Sequence, residues 1–163
     1  MSTGLEGWIE IFHGGPQRDS EGIVRDGDYL VDQAVETFNL HEHRPPVVVG
    51  HPKHDSPAWG WVKALRTKIK NGIKVLEAKF DKLAPEFVQA VEQGRYKERS
   101  AAFYQGGMLR HVGFLGGMPP AVKGLAPIDF AQELAFYHYE DCYLFSWETE
   151  QDEIDFYNLA QYV

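Results

Sequence analysis

The stretch Glu98-Arg99-Ser100-Ala101-Ala102-Phe103-Tyr104-Gln105-Gly106-Gly107-Met108-Leu109-Arg110-His111-Val112-Gly113-Phe114-Leu115 decides how the rest of the chain is read. Two β-like runs, Glu98 to Gln105 and Met108 to Leu115, flank Gly106-Gly107, residues suited to the positive φ angles of a tight hairpin turn. A two-residue turn makes Gln105 face Met108 and sets His111 opposite Ala102. Ser100, two residues from Ala102, then shares a face with His111, with Cβ atoms about 7 Å apart on the diagonal. That separation is too long for direct contact and suits a third imidazole placed between or beside them.

Upstream, Val47-Val48-Val49 is a short, wholly apolar run after Pro45-Pro46, as expected of a buried strand, and it delivers His51 at its mouth. Gly7 to His13 alternates apolar and polar residues and is stopped by Gly14-Gly15-Pro16. Asp26 or Asp28 can cap a helix running to about Asn39, with Leu30, Val31, Ala34, Val35 and Phe38 at helical spacing. Trp59 to Leu65 reads as a strand, and Thr67 to Phe80 as a hairpin about Asn71-Gly72. Pro85 and Gly94 bracket a short helix from about Ala84 to Gln93. Beyond Gly124 the pattern weakens: Phe130 to Phe136 fits helix or strand, and Tyr143 to Trp147 fits a final strand. Five to seven short strands with two inserted helices predict an α+β fold, mainly β, built as a closed or strongly curved β-barrel with peripheral helices. One domain is expected over residues 1–145, followed by an acidic and flexible tail over 146–163.

Charge supports that division. The chain has 163 residues and a net charge of −8, yet residues 1–132 hold sixteen acidic and sixteen basic side chains. The excess lies in Glu133, Glu140, Asp141, Glu148, Glu150, Asp152, Glu153 and Asp155, with no Lys or Arg after Lys123. Without a basic stripe, nucleic acid is not an expected partner. No apolar run approaches a membrane span and no leader is evident, so a soluble, cytoplasmic protein is expected. The single cysteine, Cys142, forms no internal disulfide; its aromatic and acidic neighbours make it a poor nucleophile.

Peptide hydrolysis by serine needs a hydroxyl, an imidazole to take its proton and a third group to orient that imidazole. Ser100, His51 and His111 supply those groups, while a Ser and a His on one strand face are by themselves most often a surface pair or a satisfied polar pair. The backbone N–H groups of the stretch containing Gly113, Gly116 and Gly117 are candidates for an oxyanion hole, or its glycines simply permit a bulge or tight packing. Arg99 and Arg110 could steady an oxyanion or the fold, and surface salt bridging is the plainer role expected of them. His41 and His43 flank a Pro-rich linker and are expected to be exposed.

The segments His51-Pro52-Lys53-His54-Asp55-Ser56-Pro57-Ala58-Trp59-Gly60-Trp61-Val62, Gly94 to Phe103, Leu109 to Leu115 and Pro119 to Leu125 resemble the Mu-like phage I proteins, which are prohead proteases. The resemblance spans roughly Trp8 to Leu125. More distantly, the order of elements looks like the wider prohead group related to herpesvirus assemblins. It implies an assemblin-like β-barrel and a capsid-maturation serine endopeptidase, acting in the host cytoplasm within the assembling prohead. Its substrates would be the scaffold and other prohead proteins, with no cofactor. By analogy it also implies a homodimer. The carried-over roles are Ser100 as nucleophile, His51 as general base and His111 as the group that orients the base. Members of that family continue into a long helical scaffold segment, which this sequence lacks.

Two other readings stand beside it. One is a catalytically silent assembly module that binds scaffold. The other is a metal-dependent hydrolase using His51, His54 and Asp55, with His13, His41, His43 or His138 recruited as a further ligand.

Overall fold

The structure is a computed structural model that describes residues 4–50, 55–116 and 142–144. In chain order its elements are β1 (Ile9–His13), β2 (Pro16–Arg18), β3 (Val24–Asp26), α1 (Gly27–Thr37), β4 (Pro46–Val49), β5 (Gly60–Lys70), β6 (Ile73–Asp81), α2 (Pro85–Glu92), β7 (Glu98–Tyr104), β8 (Leu109–Leu115) and β9 (Cys142–Leu144). Phe130 to Phe136, the acidic tail and most of the expected last strand lie outside the described residues.

Local chemistry explains most of these boundaries. The Asp26 carboxylate accepts from the Tyr29 amide at 3.2 Å and so caps α1. Pro85 opens α2, and Gly94 ends it at φ 88° as its amide and that of Arg95 return to Val91 and Ala90. Asn71 and Gly72 take φ of 52° and 77°, so Lys70 pairs with Ile73, and β5 and β6 form one long hairpin instead of the separate strand and hairpin expected. The small β2–β3 hairpin was not expected after Pro16. It is organised by the buried Asp19 carboxylate, which accepts from the amides of Glu21 and Ile23 at 2.9 Å and from Arg25 Nε at 3.0 Å.

The large sheet runs β1-β6-β5-β4-β8-β7-β9, antiparallel except for the parallel β4–β8 pair. This corrects the expected barrel: the described strands make an open seven-stranded sheet, with no ladder from β1 to β7 or β9. The reason is visible at β7, whose second edge is already occupied by β9 through Ala102, Phe103 and Tyr104. Side chains, not a ladder, bring β1 and β7 together across the curl. Phe12 meets Phe103 edge to face at 5.0 Å, and Arg99 Nε donates to the Glu10 carbonyl at 2.6 Å.

One apolar cluster fills the concave side, and both helices belong to it. Leu30, Val31 and Ala34 of α1 join Ile11, Phe12 and Leu76, while Phe87 and Val91 of α2 join Phe80 and Phe114. The expected peripheral helices therefore lie on the core side of the sheet, because their apolar stripes need that face. Burying each of these large side chains contributes about 1.5–3 kcal/mol. Arg99 shares this side at 1% exposure, contrary to the surface role expected. Burial lowers its pKa to about 10, which still leaves it charged at neutral pH. On the opposite face, Glu10 and Glu77 are cross-strand neighbours; Arg66, Lys68 and Lys70 reach them at 2.8–3.8 Å.

Candidate functional site

Ser100 and His111 come together on β7 and β8. Ala102 pairs with His111, as the sequence leads one to expect, and Ser100 pairs with Gly113. Side-chain alternation places Ala101, Phe103, Val112 and Phe114 on the apolar cluster, so Ser100, Ala102 and His111 share the other face. Val48, beside Gly113 on β4, belongs to that face as well. Ser100 is 2% exposed and His111 5%, and both have interaction partners.

The register arises differently from the two-residue turn expected. Tyr104 N donates to Met108 O and Gly107 N to Tyr104 O, both at 2.8 Å, so Gln105, Gly106 and Gly107 form a three-residue loop. Gly107 has φ 94°, and a Cβ there would lie 2.5 Å from Gln33 Cβ on α1, so the loop requires glycine both for its backbone and for its seat on the helix. An odd loop shifts the pairing by one: Phe103 faces Leu109. A bulge at Arg110 then shifts it back, because Ala102 faces His111. Without the bulge, His111 would stand opposite Ala101 and point into the apolar cluster.

Sequence reasoning missed the group that meets this bulge. His43 Nε2 lies 2.7 Å from the Arg110 carbonyl, and its ring packs edge to face on Tyr104 at 5.3 Å. The Arg110 guanidinium lies over the same Tyr104 ring at 5.4 Å. His43 is thus partly buried instead of exposed, whereas His41 is exposed. No sequence signal marks this contact, since 67 residues separate the partners.

On the far side of β8, Gly50 takes φ 67° and its amide donates to Phe114 O at 2.9 Å, extending the β4–β8 pairing past Val49. His51 comes next in the chain and lies outside the described residues, as do His54 and Gly117. Of the oxyanion candidates, Gly113 is paired on both sides, to Ser100 and to Val48, so its amide lies in the plane of the sheet. It presents no side chain opposite Ser100. Gly116 is buried just beyond the end of β8. Asp55 is exposed, and among the described residues no group of three His, Cys, Asp or Glu side chains is placed to hold a metal ion. No described helix is long and apolar enough to cross a membrane. Comparison with protein-family models, curated proteins and solved structures found no match for the chain.

Proposed function

We propose that the chain is a serine endopeptidase of the prohead-maturation type, with Ser100 as nucleophile, His51 as general base and His111 as the residue that orients the base. The observation that carries this reading is the diagonal placement of Ser100 and His111 on one face of β7 and β8, across from a residue without a side chain. About 7 Å separates Cβ atoms in such a diagonal, which suits a third imidazole bonding to both. Support for His51 in that role comes from the pairing of Gly50 with Phe114, one residue before it, and from the motif resemblance around it. In the mechanism, the base takes the Ser100 proton as Oγ attacks the scissile carbonyl, then returns it to the leaving amine. His111 fixes the tautomer of the base and shares the developing charge. Oxyanion stabilisation falls to the amides at Gly116 and Gly117, since that of Gly113 lies within the sheet.

The scaffold and other prohead proteins are the proposed substrates, cleaved inside the assembling particle in the host cytoplasm. The deep burial of Ser100 favours a second reading, a module of the same architecture that binds scaffold without cutting it. Cleavage of a cognate scaffold by wild type, Ser100→Ala and His51→Ala separates the two. Loss of cleavage in both folded variants is expected for the endopeptidase. Cleavage by Ser100→Ala would overturn the assignment of the nucleophile, and no cleavage by wild type would leave the binding module.

A further inference from the structure

We propose that His43 is a positioning residue that holds the β8 bulge at Arg110 and thereby keeps His111 on the face of Ser100. The role of the His111–Ser100 pair rests on the endopeptidase reading; the placement of His111 does not.

The backbone of β4 gives this bulge no donor. β4 runs parallel to β8 with Val47 beside Val112, which puts Pro45 and Pro46 at the level of Arg110 and His111. Neither proline has an N–H to donate, so β4 offers no backbone donor to β8 at that level. The His43 side chain supplies one: its Nε2 lies 2.7 Å from the Arg110 carbonyl. A carbonyl only accepts, so Nε2 carries the proton and His43 donates. The ring is held from a second side by Tyr104, which begins the three-residue loop and also lies beneath the Arg110 guanidinium. Loop and bulge, the two irregularities that offset each other in register, therefore meet on one imidazole. Loss of that donor releases the extra residue from its place between Leu109 and His111. Once the bulge migrates toward the strand end, His111 turns toward the apolar cluster.

Two readouts test this on the full-length protein. The first is the long-range ¹⁵N spectrum of the histidine rings, with His111 assigned by comparison with His111→Gln. The second is the rate of Ser100 labelling by a fluorophosphonate probe. In His43→Ala the His111 ring resonances are expected to move and the labelling rate to fall on the order of 10- to 100-fold, as for displaced catalytic groups. His43→Gln keeps an N–H of similar reach, so wild-type His111 resonances are expected, with labelling within about threefold of wild type. Unmoved His111 resonances in folded His43→Ala overturn the proposal, as does an equal displacement in His43→Gln. If His43→Ala fails to fold, His43→Gln decides alone: wild-type resonances support the role and displaced ones sink it. If wild type is never labelled, the endopeptidase reading falls, while the ring spectra still decide the position of His111.

Discussion

The two long hairpins of the sheet reach their registers by different routes. In β5–β6 the turn is self-sufficient: Asn71 and Gly72 adopt positive φ, nothing stands within 4 Å of a Cβ placed on Gly72, and Lys70 pairs directly with Ile73. In β7–β8 the loop has three residues, its Gly107 is pressed on Gln33, and a bulge at Arg110 is needed to restore the pairing. The hairpin that carries Ser100 and His111 is thus fixed by distant parts of the chain, and the other by its own two turn residues.

The hairpins meet at Phe114, which packs edge to face on Phe80 of β6 at 5.9 Å and on Phe87 of α2 at 5.0 Å. Phe114→Ala is expected to have the largest effect, about 3–5 kcal/mol, because it leaves a cavity among rings that cannot close over it. Urea denaturation followed by tryptophan fluorescence measures the loss. A value below about 1 kcal/mol would mean that the two hairpins are stabilised independently.

Gly107→Ala comes next, at about 2–3 kcal/mol, since it combines an unfavourable φ with a collision against α1. The same substitution at Gly72 is expected to cost only about 1 kcal/mol, since its φ of 77° is strained for alanine but the site is open. The ordering matters more than either value. Equal losses would show that the seat on α1 contributes nothing and that both turns are set locally.

This difference also explains what the sequence could reveal. Asn71-Gly72, Pro85 with Gly94, and Asp26 are short-range signals, and the elements they predict are present with ends displaced by a few residues. Ala102 does face His111, yet the two-residue turn from which that pairing was reasoned is absent: an odd loop and a bulge cancel. Periodicity cannot detect such a cancellation, because it sees only which residues end on which face. Nor could it find the His43–Arg110 contact, the burial of Arg99 against the Glu10 carbonyl, or the capture of β7's second edge by β9, which keeps the sheet open. Each depends on a contact distant in sequence. Of the candidate site, the shared face of Ser100 and His111 was legible, and what secures it was not.

The smallest expected effect tests the self-sufficiency of β5–β6 from its outer face. Arg66 Nε donates to Glu77 at 2.8 Å and its guanidinium lies 4.3 Å from the centre of the Trp8 ring, so one residue ties β5 to β6 and to the segment before β1. Its side chain is 48% exposed, and Lys68 also reaches the Glu77 carboxylate at 3.8 Å. Removing Arg66 therefore leaves the buried carboxylate a cation. Solvent screening limits the loss in Arg66→Ala to under about 1 kcal/mol, declining further as salt rises. Double substitution with Lys68→Ala is expected to cost more than the two single losses combined, since Glu77, 4% exposed in the intact protein, would then lose both partners. Additive losses in that cycle would mean that Glu77 draws its compensation from elsewhere, and that the outer face, like the turn, contributes to this hairpin one residue at a time.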